Sequence, residues 1–167
     1  RELLMAAKSV SVPTLFLRMA LSITMLSAVA DRFGLWGASA AWGNWDNFEK
    51  YTAQLTFFLP LMLSKCAAYA ATFLEMTLPV LLILGYRLKI AANLTGVLLF
   101  IFALSMSISL GVKAPLDYSV WVGSAAAFLL AAQSNPAKQE AFISGIAEVP
   151  VEKPGNVIRE TEHITEH

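Results

Sequence analysis

One carboxylate interrupts the apolar run from Cys66 to Tyr86: Glu75, followed four residues later by Pro79. A carboxylate in a segment long enough to cross a membrane is costly unless a partner answers it. Pro79 offers no N–H, so the carbonyl of Glu75 also loses its helical donor. One helical turn thus carries two unmet polar demands. The apolar run Val10 to Ala30 holds a single charge, Arg18, and the most economical expectation is that Arg18 pairs with Glu75 inside the protein.

The surrounding composition requires a membrane. Of 167 residues, 57% are hydrophobic and 14% charged, with a mean hydropathy of +0.61, well beyond soluble globular usage. Four stretches are candidates to cross roughly 30 Å of hydrocarbon: residues 10–30, 66–86, 90–112 and a shorter one at 116–132. The reading is an all-α, integral membrane four-helix bundle occupying residues 1–134, with an exposed cytoplasmic tail at 135–167. Ala28-Val29-Ala30 has the small-x-small pattern of a signal-peptidase site, but Arg18 breaks the apolar stretch before it, so the segment is expected to remain as a span.

The net charge is zero, which gives no reason to expect nucleic acid as a partner. The distribution of charge is more informative. Arg1, Lys8, Arg87, Lys89 and Lys138 fall at the N-terminus, the second-to-third span link and the tail, which even-numbered spanning places on one side. The positive-inside rule makes that side cytoplasmic, giving an N-in, C-in multi-pass protein.

The connection between spans one and two, Asp31 to Lys65, interleaves Trp36, Trp42, Trp45, Phe48 and Tyr51 with polar residues, and Trp45, Phe48, Thr52 and Leu55 follow helical spacing. An amphipathic helix in the membrane interface is expected, serving as an aromatic belt or as a lid over a site between the helices. Ser119, Gly123, Ala127 and Ala131 form a small-residue stripe, and Gly96, Phe100, Ala103 and Ser107 a looser one; both read as packing seams. Beyond Asn135, a short amphipathic helix is expected at Ala137 to Ala147.

Two constellations are candidate sites. Arg18, Glu75, Ser22 and Thr72 form a buried polar site on facing spans, either a structural ion pair that fixes register or a site for a ligand or proton. Asp31, Arg32, Trp36, Trp42, Trp45, Asp117 and Tyr118 gather at the extracytoplasmic mouth, where an Arg32–Asp117 salt bridge is expected. No metal site is expected: the only two histidines, His163 and His167, lie in the tail, and the one cysteine, Cys66, excludes an internal disulfide or C-x-x-C pair. No cofactor held covalently or by metal ligation is therefore expected, and any metal or flavin would belong to a partner.

Leu17-Arg18-Met19-Ala20-Leu21, Phe73-Leu74-Glu75 and Gly85-Tyr86-Arg87 resemble motifs of the DoxX family of small four-helix membrane proteins. The stretches Ala30 to Gly37, Trp42-Gly43-Asn44-Trp45 and Pro115 to Ser119 are similar to a subgroup of it. Met76, Thr77 and Pro79 stand where the family often has small glycines. The resemblance implies a link to redox membrane complexes and, through them, to quinone.

The function expected is a DoxX-like integral membrane subunit supporting a quinone-linked or extracytoplasmic redox complex, an accessory subunit more than a stand-alone enzyme. Its partners would be lipid and either other subunits or further copies of the chain. The alternative is a non-catalytic structural or assembly subunit. A small transporter is the weaker third reading, because the chain is short.

Overall fold

The computed structural model describes residues 12–134, and every regular element among them is helical. In chain order these are α1 (Val12–Arg32), a short 3-10 turn (Gly37–Ser39), α2 (Trp45–Leu55), α3 (Leu61–Leu84), α4 (Leu88–Leu110), α5 (Lys113–Asp117) and α6 (Val120–Gln133). Helices α1, α3 and α4 are long and apolar enough to cross a bilayer, and the chain is a membrane protein. The N-terminal charges, the tail helix expected at 137–147 and both histidines lie outside the described residues.

Local chemistry sets the boundaries. Asn44 caps α2, its side chain accepting from the Asn47 amide at 2.9 Å. α3 begins at Leu61, directly after Pro60 and five residues before the position expected, and its Lys65 lies 3.0 Å from Glu49. It ends at Gly85, whose φ of +70° suits a residue without Cβ. The Tyr86 amide bonds Leu81 O and the Gly85 amide bonds Leu82 O, which is the Schellman closure.

The fourth apolar stretch departs from expectation. It is not one helix from 116 to 132: Ser119 adopts a φ of 54° and divides it into α5 and α6. The 14 residues of α6 rise only about 21 Å, short of the ~30 Å hydrocarbon core.

Packing follows residue size. α6 lies most extensively against α4, and α1 against α3. Ala127 and Ala131 of the small-residue stripe are buried, and Ser124 Oγ donates to Gly96 O at 2.8 Å, so the two backbones approach closely. A Cβ on Gly96 would meet the Phe128 ring at 2.8 Å. Phe100, expected on the same seam, is instead exposed and touches Trp121 edge-on. Leu21, Leu82, Ala91, Ala92 and Leu130 complete this core, while Met25, Leu78 and Leu98 form a second cluster. Outward faces carry large apolar side chains such as Phe16, Ile23, Phe73, Ile101 and Val122, as lipid-facing surfaces require.

The expected amphipathic helix is present as α2, but its apolar face meets protein. Phe48, Thr52 and Leu55 are buried, and the helix packs on α3 and α4. Its C-terminal end is fastened twice: the Thr56 and Ser64 hydroxyls share a hydrogen bond at 2.8 Å, and Ser109 Oγ donates to Leu55 O at 2.8 Å.

Candidate functional site

The α1–α3 register can be read from three hydrogen bonds. Arg18 Nε donates to Leu82 O at 2.7 Å, Arg18 Nη2 to Ile83 O at 2.8 Å, and Ser22 Oγ to Pro79 O at 3.2 Å. At 1.5 Å per residue this antiparallel register sets Glu75 level with Leu26, about 12 Å above Arg18 and about 9 Å below Arg32.

Side-chain direction then selects the partner. Helical side chains lean toward their own N-terminus. On α1 that lean carries Arg18 away from Glu75, toward the end of α3, and carries Arg32 down toward it. On α3 the same rule tilts Glu75 up toward Arg32. The expected Arg18–Glu75 pair is therefore not formed: Glu75 Oε2 accepts from Arg32 Nη2 in a buried salt bridge. Arg18 is satisfied by two carbonyls of the last turn of α3, Ile83 O and Leu82 O, the second of which it shares with the Gly85 amide.

The expected Arg32–Asp117 bridge is absent for the same reason. Arg32 turns inward and is 2% exposed, whereas Asp117 pairs with Lys113 one turn away on the exposed α5. Tyr118 is also exposed. It acts on the aromatic cluster electrostatically: the Tyr51 phenol is pushed up, first by burial and then by the Tyr118 phenolate.

Around Arg32 the site is closely built. Its Nη1 donates to Thr72 Oγ1 at 2.6 Å, and the Thr72 hydroxyl passes its own hydrogen to Ala68 O at 2.9 Å. The guanidinium lies 3.8 Å from the Phe48 ring centroid and 5.7 Å from that of Trp42, so α2 covers the ion pair with two cation–π contacts. Of the guanidinium nitrogens, Nε is buried without an acceptor among the described residues, as is Trp45 Nε1. Each buried unmade hydrogen bond costs about 1–3 kcal/mol.

Asp31 organises the cover. Its carboxylate accepts from the backbone amides of Ala41, Trp42 and Gly43 at 2.7, 2.9 and 3.1 Å. This pins the loop that carries Trp42 to the end of α1. Trp36 Nε1 donates to Ser27 O at 3.1 Å and remains 51% exposed. Trp45 packs on Phe48, Tyr69 and Phe33, with centroids at 5.6, 4.7 and 6.5 Å.

The two constellations expected from sequence thus redistribute. Glu75 and Thr72 join Arg32, Asp31, Trp42 and Trp45 in one centre, while Arg18 and Ser22 form a separate fastening toward the other end of the spans. Phe48 is the member that sequence reading placed only in an amphipathic pattern; its position three residues after Trp45 was the available signal. Among the described residues no cluster of three or more His, Cys, Asp or Glu could hold a metal ion. The centre can instead hold a proton, position a hydrogen-bond acceptor against a guanidinium, or lock two helices. No protein-family model, curated protein or solved structure matches the chain.

Proposed function

We propose that the chain is a DoxX-like four-helix subunit of the bacterial inner membrane, N-in and C-in, supporting a quinone-linked or extracytoplasmic redox complex. In this arrangement α6, with α5 leading into it, serves as the fourth helix. The Arg87 and Lys89 end of the spans faces the cytoplasm, and α2 lies at the opposite interface.

The observation that carries the reading is the Arg32–Glu75 pair beneath Phe48 and Trp42. It combines a carboxylate, a cation whose Nε has no acceptor among the described residues, and flat apolar walls. That set suits a flat head group with hydrogen-bond acceptors, and redox chemistry would come from a partner's cofactor.

One observation favours the alternative of a structural or assembly subunit. The Arg32 and Glu75 side chains are 2% and 5% exposed, and a dry, closed pair fixes helix register without needing a ligand.

Gentle purification from native membranes, followed by identification of co-purifying chains and assay of quinone reduction, tests the proposal. A flavin- or metal-bearing partner is expected, with quinone reduction that falls in a Glu75→Gln complex of unchanged composition. Full turnover by that complex would favour the structural reading. A chain recovered without any redox partner would overturn the proposal.

A further inference from the structure

Two buried N–H groups bordering the Phe48 ring point to a ligand. Arg32 Nε and Trp45 Nε1 lack acceptors among the described residues. The guanidinium carbon stands 3.8 Å from the Phe48 centroid, and the Trp45 ring 5.6 Å from it. Trp45 belongs to the cover and Arg32 lies beneath it, and protein groups already accept from the other two guanidinium nitrogens. What remains is donors only.

Charge selects the acceptor. Glu75 already matches Arg32, and Asp31 adds a second carboxylate at the neighbouring position. An incoming anion would face two carboxylates against one guanidinium. A neutral carbonyl oxygen accepts the same hydrogen bonds without that repulsion, and aromatic walls suit an uncharged, flat or apolar bearer.

The approach runs from the side. Trp45 packs against Tyr69 and Phe33, and those two residues are themselves 61% and 59% exposed. On a membrane-embedded chain this exposed pair borders the lipid.

We infer that Arg32 Nε and Trp45 Nε1 form a binding site for a neutral dicarbonyl group that enters from the bilayer past Phe33 and Tyr69. Quinone head groups and the ester carbonyls of glycerolipids share this chemistry. The inference rests on reading the Arg32–Glu75 centre as a ligand site, but does not require the redox partner.

The test is 15N NMR of the full chain in nanodiscs, following the Trp45 indole and Arg32 Nε–H signals. The signals are assigned by their loss in Trp45→Phe and Arg32→Lys. Three preparations are compared: ether-linked phosphatidylcholine, which has no carbonyl; the same discs with decylubiquinone; and ester-linked phosphatidylcholine. Both signals are expected to move when a carbonyl source is present, while Trp121 stays fixed. Movement with decylubiquinone supports the inference with a quinone as ligand. Movement with ester lipid alone also supports it, while removing the quinone link from the proposed function. Two unmoved signals, or movement of one alone, would overturn the shared site. A native complex that reduces quinone despite unmoved signals would leave the subunit reading intact and this inference gone.

Discussion

A Cβ on Gly85 would fall 2.8 Å from Nη2 of Arg18. The missing side chain therefore serves two purposes at once. It permits the left-handed turn that closes α3, and it leaves room for the guanidinium to reach the Leu82 and Ile83 carbonyls. Charge-assisted bonds to helix-terminal carbonyls stabilise both the cation and the helix end.

Gly85→Ala is expected to destabilise the chain by more than the about 1–2 kcal/mol that a left-handed L-residue costs, since Arg18 must also move. In an Arg18→Met background only the conformational part should remain. Thermal unfolding of the parent and the three variants in mild detergent checks this. An equal loss in both backgrounds would show that the guanidinium does not use the space above Gly85.

Asp31→Asn should loosen the cover while leaving the long helices intact. The carboxylate receives three backbone amides, and an asparagine retains only one acceptor oxygen. Bonds to a charged acceptor contribute about 1.5–3 kcal/mol each. Hydrogen exchange should therefore quicken selectively at Ala41, Trp42 and Gly43, with α4 amides unchanged. Uniformly faster exchange would instead indicate that Asp31 supports the whole fold.

Sequence alone revealed the helices through their apolar lengths, and Glu75 through its isolation among apolar residues. It did not reveal the partner of Glu75, because matching the two isolated charges of the apolar runs ignores the direction in which helical side chains lean. Arg32 looked like a surface residue since it closes α1 beside Asp31; only the docking of Phe48 and Trp42 above it makes that position interior. The break at Ser119 was hidden for another reason. Nothing in Tyr118-Ser119-Val120 forbids a continuous helix, and the left-handed Ser119 belongs to the docked arrangement of α5 and α6.

Alkaline pH should weaken the aromatic cluster. Burial raises the Tyr51 phenol above the ordinary value of 10.0, and the Tyr118 phenolate raises it further. In the folded state Tyr51 keeps its proton at a pH where the unfolded chain has released it. Stability from this residue is thus fully present below about pH 10 and declines as pH rises above that value. Tyr51→Phe should flatten the decline. The difference between the absorbance titrations of the parent and the variant should be a single tyrosine ionising above the ordinary phenol value; a difference at or below that value would contradict the burial.

The partner assignment itself is open to a mutant cycle. Arg32→Met or Glu75→Leu alone leaves an uncompensated charge in a site closed by Phe48 and Trp42, so each should cost about 3–5 kcal/mol. Their combination should recover most of that loss, because neither lone charge remains to be desolvated. Arg18→Met combined with Glu75→Leu should show no such recovery: Arg18 is satisfied by Leu82 O and Ile83 O, so both losses persist and add. Unfolding free energies of the parent and the five variants in one detergent decide the matter. Recovery with Arg18 in place of Arg32 would return Glu75 to the partner first expected from the sequence, and would require α1 and α3 to slide past the register fixed by Ser22 and Pro79.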